Sequence, residues 1–215
     1  MNIEKIFNDI KFKVSPKDDY RSSYRFRFIK SFYKIFKKEK NYVFDNCIIN
    51  KEKIDLDLRK ELIKIDSMST YAIGYLINRI CKNLSKDQIY LNIGCWKGFS
   101  LVAGMINTEC KVIGVDNFSQ FTGPKNDFLK NFENSKKSNH FFFEQDYQKY
   151  FESLDHTKDK FDFYFYDGEH SYDNQFKNLE IADNFLNVGS LVLIDDINFD
   201  EVYEGTLDFI NKTKS

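Results

Sequence analysis

Proline is nearly missing from this chain, with two residues in 215, and glycine is scarce at nine. That leaves no Gly- or Pro-rich linker and no low-complexity tract, so a string of loosely tethered modules is excluded. No internal repeat is present. Charge of one sign is also lacking. Lys and Arg total 32 against 33 Asp and Glu, a net charge of −1, which argues against a dedicated nucleic-acid binder. No apolar run approaches the ~20 residues of a membrane-spanning helix. Residues 1–13 alternate charged and apolar groups, so the apolar centre of a signal peptide is absent. The four cysteines, Cys47, Cys81, Cys95 and Cys110, form no C-x-x-C pair and have no histidine at zinc spacing. They read as reduced core thiols of a cytoplasmic protein.

What is present is a substantial core. Hydrophobic residues make up 42% and aromatics 17%, so Phe and Tyr take over packing that Leu and Val usually provide. The length fits one domain, at 67–215, preceded by a small helical extension or lid at 1–66. Within that extension, 20–40 is basic and aromatic. Arg21, Arg25, Arg27, Lys30 and Lys34 share the segment with Tyr24, Phe28, Phe32 and Phe36 at helical spacing. An amphipathic helix with a solvated basic face is expected there, or else a surface for an anionic ligand.

From Asp66 onward the pattern alternates. Asp66 or Ser67 caps a helix reaching about Lys82. Strands are expected over 89–93, 111–115, 140–144, 161–166 and 190–194. Helices fall between them: one ending near Asn107, one over 125–135, and one whose stripe is Tyr172, Phe176, Leu179, Ala182 and Leu186. Gly189 ends the turn after that stripe, and a last helix covers 204–212. Strand–helix–strand alternation of this kind implies an α/β, doubly wound, mostly parallel sheet covered on both faces. The last strand is then an edge open to association with a second copy.

Two constellations carry chemistry. In Tyr90-Leu-Asn-Ile-Gly-Cys-Trp-Lys-Gly-Phe-Ser100, a strand runs into a glycine turn and a helix, and Val112-Ile-Gly-Val-Asp116 closes the next strand on an acid. Such a unit holds a nucleoside, because the acid can accept from both ribose hydroxyls. The glycines read G-x-x-x-G, with no third glycine to make a pyrophosphate nest. A nicotinamide dinucleotide is therefore disfavoured. The second constellation is Tyr166-Asp-Gly-Glu-His-Ser-Tyr172 together with Ile194-Asp-Asp196. If their strands are neighbours, Asp167, Asp195 and Asp196 meet beside the nucleoside, and three carboxylates there call for a cation.

The first motif resembles that of the class I S-adenosylmethionine (SAM) methyltransferases. The two together resemble the metal-dependent O-methyltransferases, including the macrocin-type sugar O-methyltransferases, over about 67–210. That resemblance implies a Rossmann-like fold in which Asn92, Gly94, Gly98, Ser100, Asp116, Asn117 and Asp146 bind SAM. It implies Mg²⁺ on Asp167, Asp195 and Asp196, with Asp167 and His170 as catalytic residues. The family has Glu or Asp where this chain has Asn92. It also ends its sheet in an antiparallel hairpin of two strands, for which no residues remain after 204–212, as in a truncated relative or a fragment. The implied acceptor is a small-molecule hydroxyl, a sugar or, given 20–40, an anionic metabolite. A metal-independent methyltransferase and a non-catalytic SAM-fold binding or dimerisation module fit the same residues.

Overall fold

The computed structural model describes residues 6, 10–12, 47–49, 55–121 and 123–214. The basic aromatic segment 20–40 lies outside these residues. Near the start, β1 (Ile10–Phe12) pairs antiparallel with β2 (Cys47–Ile49), so the described part of the extension includes a small sheet as well as helix.

The main sheet contains β3 (Ile89–Ile93), β4 (Lys111–Asp116), β5 (His140–Glu144), β6 (Phe161–Tyr166) and β7 (Leu186–Ile194), in the order β5-β4-β3-β6-β7. Every pairing is parallel. The chain moves outward from β3 to β5, then returns to the other side of β3 for β6. The switch point thus lies between β3 and β6, where a ligand crevice is expected at the strands' carboxyl ends.

Helices fill both faces: α1 (Leu56–Leu62), α2 (Tyr71–Cys81), α3 (Phe99–Met105), α4 (Lys125–Ser135), α5 (Tyr147–Glu152), α6 (Tyr172–Asp183) and α7 (Asp200–Thr213). Alternate strand residues divide between two cores. Tyr90, Val112, Phe163 and Phe165 pack with Leu62, Tyr75, Leu101 and Phe128 on one face. On the other, Leu91, Ile113, Tyr164 and Tyr166 pack with Tyr150, Phe151 and Ala182. Cover on both sides explains why β6 is nearly continuous in apolar residues. Cross-strand partners Tyr90 and Phe163 stack with ring centroids 4.6 Å apart. At the same, amino, end of these strands, Asp162 accepts from the Ile89 amide and the Gln88 and Asn187 side chains, tying β3, β6 and β7.

Three local expectations change. The helix after Asp66 begins at Tyr71 with Thr70 at its cap position, and Thr70 makes no side-chain cap bond. Asp66 is drawn away by Lys97 at 2.9 Å, and the Ser67 hydroxyl donates to the Ser69 carbonyl. Leu186 belongs to β7, paired with Phe161, because the Phe161 amide bonds to the Phe185 carbonyl and pulls the chain straight into the sheet. Gly189 consequently sits inside β7, at φ +83°, in the bulge between the Phe161 and Phe163 pairings. The last helix starts earlier than expected, at Asp200. In addition, α1 buries Leu58 and Leu62 in the same core as α2 and α3. It therefore packs as part of the body expected at 67–215 rather than apart from it.

Candidate active site

The strand ends are locked in step. The Gly94 amide donates to the Val115 carbonyl, the Asp167 amide to that of Ile93, and the Asp195 amide to that of Tyr166. The first residues beyond β3, β6 and β7 are thereby set side by side. Gly94, at φ +81°, is demanded by this closeness. A Cβ there would lie 1.9 Å from the Asp167 carbonyl oxygen, so the close approach is to the neighbouring strand's own backbone. Gly98, at φ +92°, opens α3.

Above these ends is a cleft of about 710 Å³. Of the seven residues expected at the cofactor, Gly94, Ser100, Asp116, Asn117 and Asp146 line it. Asn92 and Gly98 do not. Asn92 is fully buried. Its amide nitrogen donates to the Gly94 carbonyl at 3.0 Å, and its oxygen accepts from the Ser100 hydroxyl at 2.8 Å. It is the brace behind the glycine loop, a role an amide fills without burying a charge.

Asp116 is already engaged. Its Oδ2 accepts from the Cys95 and Trp96 amides at 2.7 and 2.8 Å, and Oδ1 from the Phe118 amide at 2.7 Å. A carboxylate offers about four lone-pair sites, so three bonds leave room for one further donor, such as a ribose hydroxyl. Asp146 Oδ1 accepts from the Gln148 amide and caps α5, while Oδ2 is 3.5 Å from the Asn117 side chain. The Asn117 oxygen accepts from the Ser119 amide. Each of these polar residues shapes a loop around the cleft as well as facing into it.

At the β6 and β7 ends, Asp167, His170 and Asp196 offer ligand atoms that all lie within 4.8 Å of one another. Burial, and then the carboxylates of Asp195 and Asp196, push Asp167 well above the usual range. Burial is also the main cause that raises Asp195. The group brought together differs from the three aspartates expected. Asp195 stands beside it, with Oδ1 accepting the Asp196 amide at 2.9 Å, and an imidazole stands in the third position. His170 Nε2 is 3.3 Å from Asp196 Oδ2, and its ring stacks on Phe199 at 5.5 Å. Asp196 adopts φ +52°, a conformation that Asp tolerates better than most residues. Neither Asp195 nor Asp196 caps α7, which has Phe199 at that position.

Sequence reasoning missed α5, Phe199 and the tie of Lys97 to Asp66 and Asp127 at 2.9 and 3.4 Å. The acid N-terminal to a Tyr-Gln-Lys-Tyr-Phe run signals α5. Nothing in the sequence pairs Lys97 with acids some 30 positions away on either side.

Residues 91–197 match the family described as "Methyltransferase domain". No curated protein matches the chain. Among solved structures, it is similar to a proposed O-methyltransferase from Klebsiella pneumoniae, with 17% identity, TM-score 0.59, and coverage of 82% of this chain and 84% of that one. It is also similar to an O-methyltransferase from Bacillus cereus in complex with S-adenosylhomocysteine (SAH), with 15% identity, TM-score 0.54 and coverage of 80% and 83%. A third is TomG of Streptomyces achromogenes, an O-methyltransferase of tomaymycin synthesis in complex with SAM, at 14% identity, TM-score 0.53 and coverage of 74% and 78%. With the five-stranded order and the glycine loop at its switch point, the segment 91–197 is a methyltransferase domain of the class I α/β fold.

Proposed function

We propose that this protein transfers a methyl group from SAM to a hydroxyl of a small molecule, assisted by a divalent cation. The observation that carries this reading is the convergence of Asp167, His170 and Asp196 on one point of a cleft whose other end is the glycine loop and Asp116. The Bacillus cereus and Streptomyces achromogenes relatives, described as O-methyltransferases with SAH and SAM, support it.

The residues fit both groups. Toward SAM, Ser100, Asp116, Asn117 and Asp146 present acceptors and donors along the cleft, and Asp116 keeps one lone-pair site for a ribose hydroxyl. Toward a cation, two carboxylates and an imidazole suit Mg²⁺ or Mn²⁺, the imidazole favouring the latter. Burial, and then repulsion from Asp195 and Asp196, raises Asp167, and positive charge beside it opposes both. A bound cation would supply Lewis acidity, lowering the pKa of a hydroxyl held against it.

The protein's own part is alignment. SAM is an activated donor, so no covalent intermediate is required, and positioning contributes up to ~7–11 kcal/mol. Gly94 lets the β3 and β6 ends meet, which fixes Asp167 relative to the glycine loop. Asp167 and Asp196 hold the acceptor end, and His170, seated on Phe199, serves as third ligand or as proton acceptor. Among the described residues no Lys or Arg lines the cleft, whereas Gln145, Tyr147 and Asn174 do. A neutral polyhydroxy acceptor such as a sugar suits that lining better than an anionic one.

The test is methyl transfer to a panel of sugars and phenols with Mg²⁺, Mn²⁺ or EDTA. Asp167→Ala is expected to lower turnover at least about 10²-fold while SAH still binds. Normal turnover in EDTA favours a metal-independent methyltransferase, and SAH binding without turnover on any acceptor favours a non-catalytic module. His170→Ala separates the two histidine roles: a ligand loss weakens metal affinity, and a base loss lowers kcat at unchanged metal affinity.

A further inference from the structure

Trp96 is the chain's one tryptophan, and it lines the cleft in the middle of the glycine loop. Its backbone is held in an uncommon conformation, φ +45°. Asp116 Oδ2 pins it there by accepting the Trp96 amide at 2.8 Å. The indole is held differently. Its Nε1 is buried and has no hydrogen-bond partner among the described residues, so none of these orients the ring by a hydrogen bond. The group that addresses the ring is the Lys97 ammonium, 4.7 Å from the ring centroid.

Lys97 is itself an unusual lysine. Its side chain is only 19% exposed, although lysines are rarely covered. The ammonium lies between Asp66 of the α1–α2 connection, at 2.9 Å, and Asp127 of α4, at 3.4 Å. Its carbonyl accepts from the Asn131 side chain of α4 at 2.8 Å. Two elements from opposite sides of the loop thus fix one cation, and that cation lies over the indole. A surface ion pair contributes little to stability. Three contacts converging on one ammonium beside a ligand cleft set a position instead.

We propose that Lys97 is a positioning residue. Clamped by Asp66 and Asp127, it sets the Trp96 ring as a wall of the cofactor end of the cleft, so that SAM affinity depends on a residue that does not itself line the cleft. The inference rests on the reading of that cleft as a SAM site. It also makes Trp96 emission a direct reporter of the site, since no other tryptophan contributes.

The experiment compares wild type, Lys97→Arg and Lys97→Met. Trp96 emission and acrylamide quenching are recorded without ligand, and SAH is titrated by calorimetry and by emission. Loss of the cation–π contact is expected to increase quenching and weaken SAH about tenfold in Lys97→Met. Lys97→Arg, which keeps the charge and can reach both acids, retains wild-type emission and affinity. A melting curve confirms that each variant is folded. If Lys97→Met does not fold, Asp127→Asn removes one anchor and leaves the lysine, and its emission is expected to move in the same direction. Wild-type emission and affinity in Lys97→Met, or in Asp127→Asn where that stands in, would overturn the inference while leaving the SAM site intact. If wild type gives no heat with SAH, the SAM reading itself fails, and the positioning role falls with it.

Discussion

A methyl group at position 94 would overlap the Asp167 carbonyl at 1.9 Å, and the backbone there has φ +81°. Gly94→Ala therefore has to push two neighbouring strand ends apart. We expect a loss of about 3 kcal/mol or more in unfolding free energy, measured by urea denaturation. Asp116 supplies a second expectation. Three backbone amides donate to it, so Asp116→Ala frees the glycine loop, and about 2–3 kcal/mol of stability goes with it. Its effect on SAH affinity has to be read beside its melting temperature. A variant with unaltered melting and weakened SAH would show that ribose contact, and not the loop clasp, is its main role. Legibility at this scale was uneven. G-x-x-x-G and the closing acid were readable because glycine and aspartate have few other reasons to stand there. The brace formed by Asn92 was not: the sequence shows an amide where the resemblance implies an acid, and only burial and the Ser100 bond tell what it holds.

At the scale of elements, periodicity located the five strands of the parallel sheet, since each is an apolar run ended by glycine or acid. Element ends were harder to place. Leu186 continues the helical stripe of α6 in sequence yet enters β7, because sheet hydrogen bonding at Phe161 outweighs one more apolar contact on a helix. Gly189 reads equally as a helix stop or a bulge, as both need a left-handed residue. Nothing lies within 4 Å of a Cβ at Gly189. Gly189→Ala is therefore expected to cost only the conformational strain, about 1–2 kcal/mol, well below Gly94→Ala in the same denaturation experiment. The N-terminus of α1 offers a further check. Asp55 accepts from the Leu58 amide at 3.0 Å and pairs with Lys82 at 2.5 Å. Asp55→Ala is expected to lower stability by about 1–2 kcal/mol, and Asp55→Asn, which keeps the cap, by less. Equal losses for the two would assign the effect to the ion pair.

For the whole molecule, one link between pH and stability, besides the raised carboxyls of Asp167 and Asp195, runs through His140 at the start of β5. Burial, and then Lys137, hold its pKa down at about 4. Nδ1 accepts the Lys137 amide at 3.0 Å, which requires a neutral ring. The folded pKa lies below the unfolded value of about 6.5, so this group has no effect above that pH. As pH falls from about 6.5 to about 4, the unfolded chain takes up a proton that the fold refuses, and stability declines by on the order of 3 kcal/mol. Below about 4 the decline stops. His140→Gln is expected to flatten the curve in that window; an unchanged slope would place the titration elsewhere. The topology of the domain was legible because alternation and short connections admit few arrangements. Which groups gather at its switch point was only partly so. Strand-end acids can be read from sequence, but the approach of His170 to Asp196, at 3.3 Å, depends on the turn that follows β6.

On the proposed reading, this cleft binds SAM next to a cation held by Asp167, Asp196 and His170. Calorimetric titration of the intact chain with SAH, first with Mg²⁺ or Mn²⁺ and then with EDTA, tests it most directly. Micromolar binding, with affinity or heat altered by removal of the metal and insensitive to that removal in Asp167→Ala, is the predicted result. No heat in either condition would rule out SAM binding in this cleft.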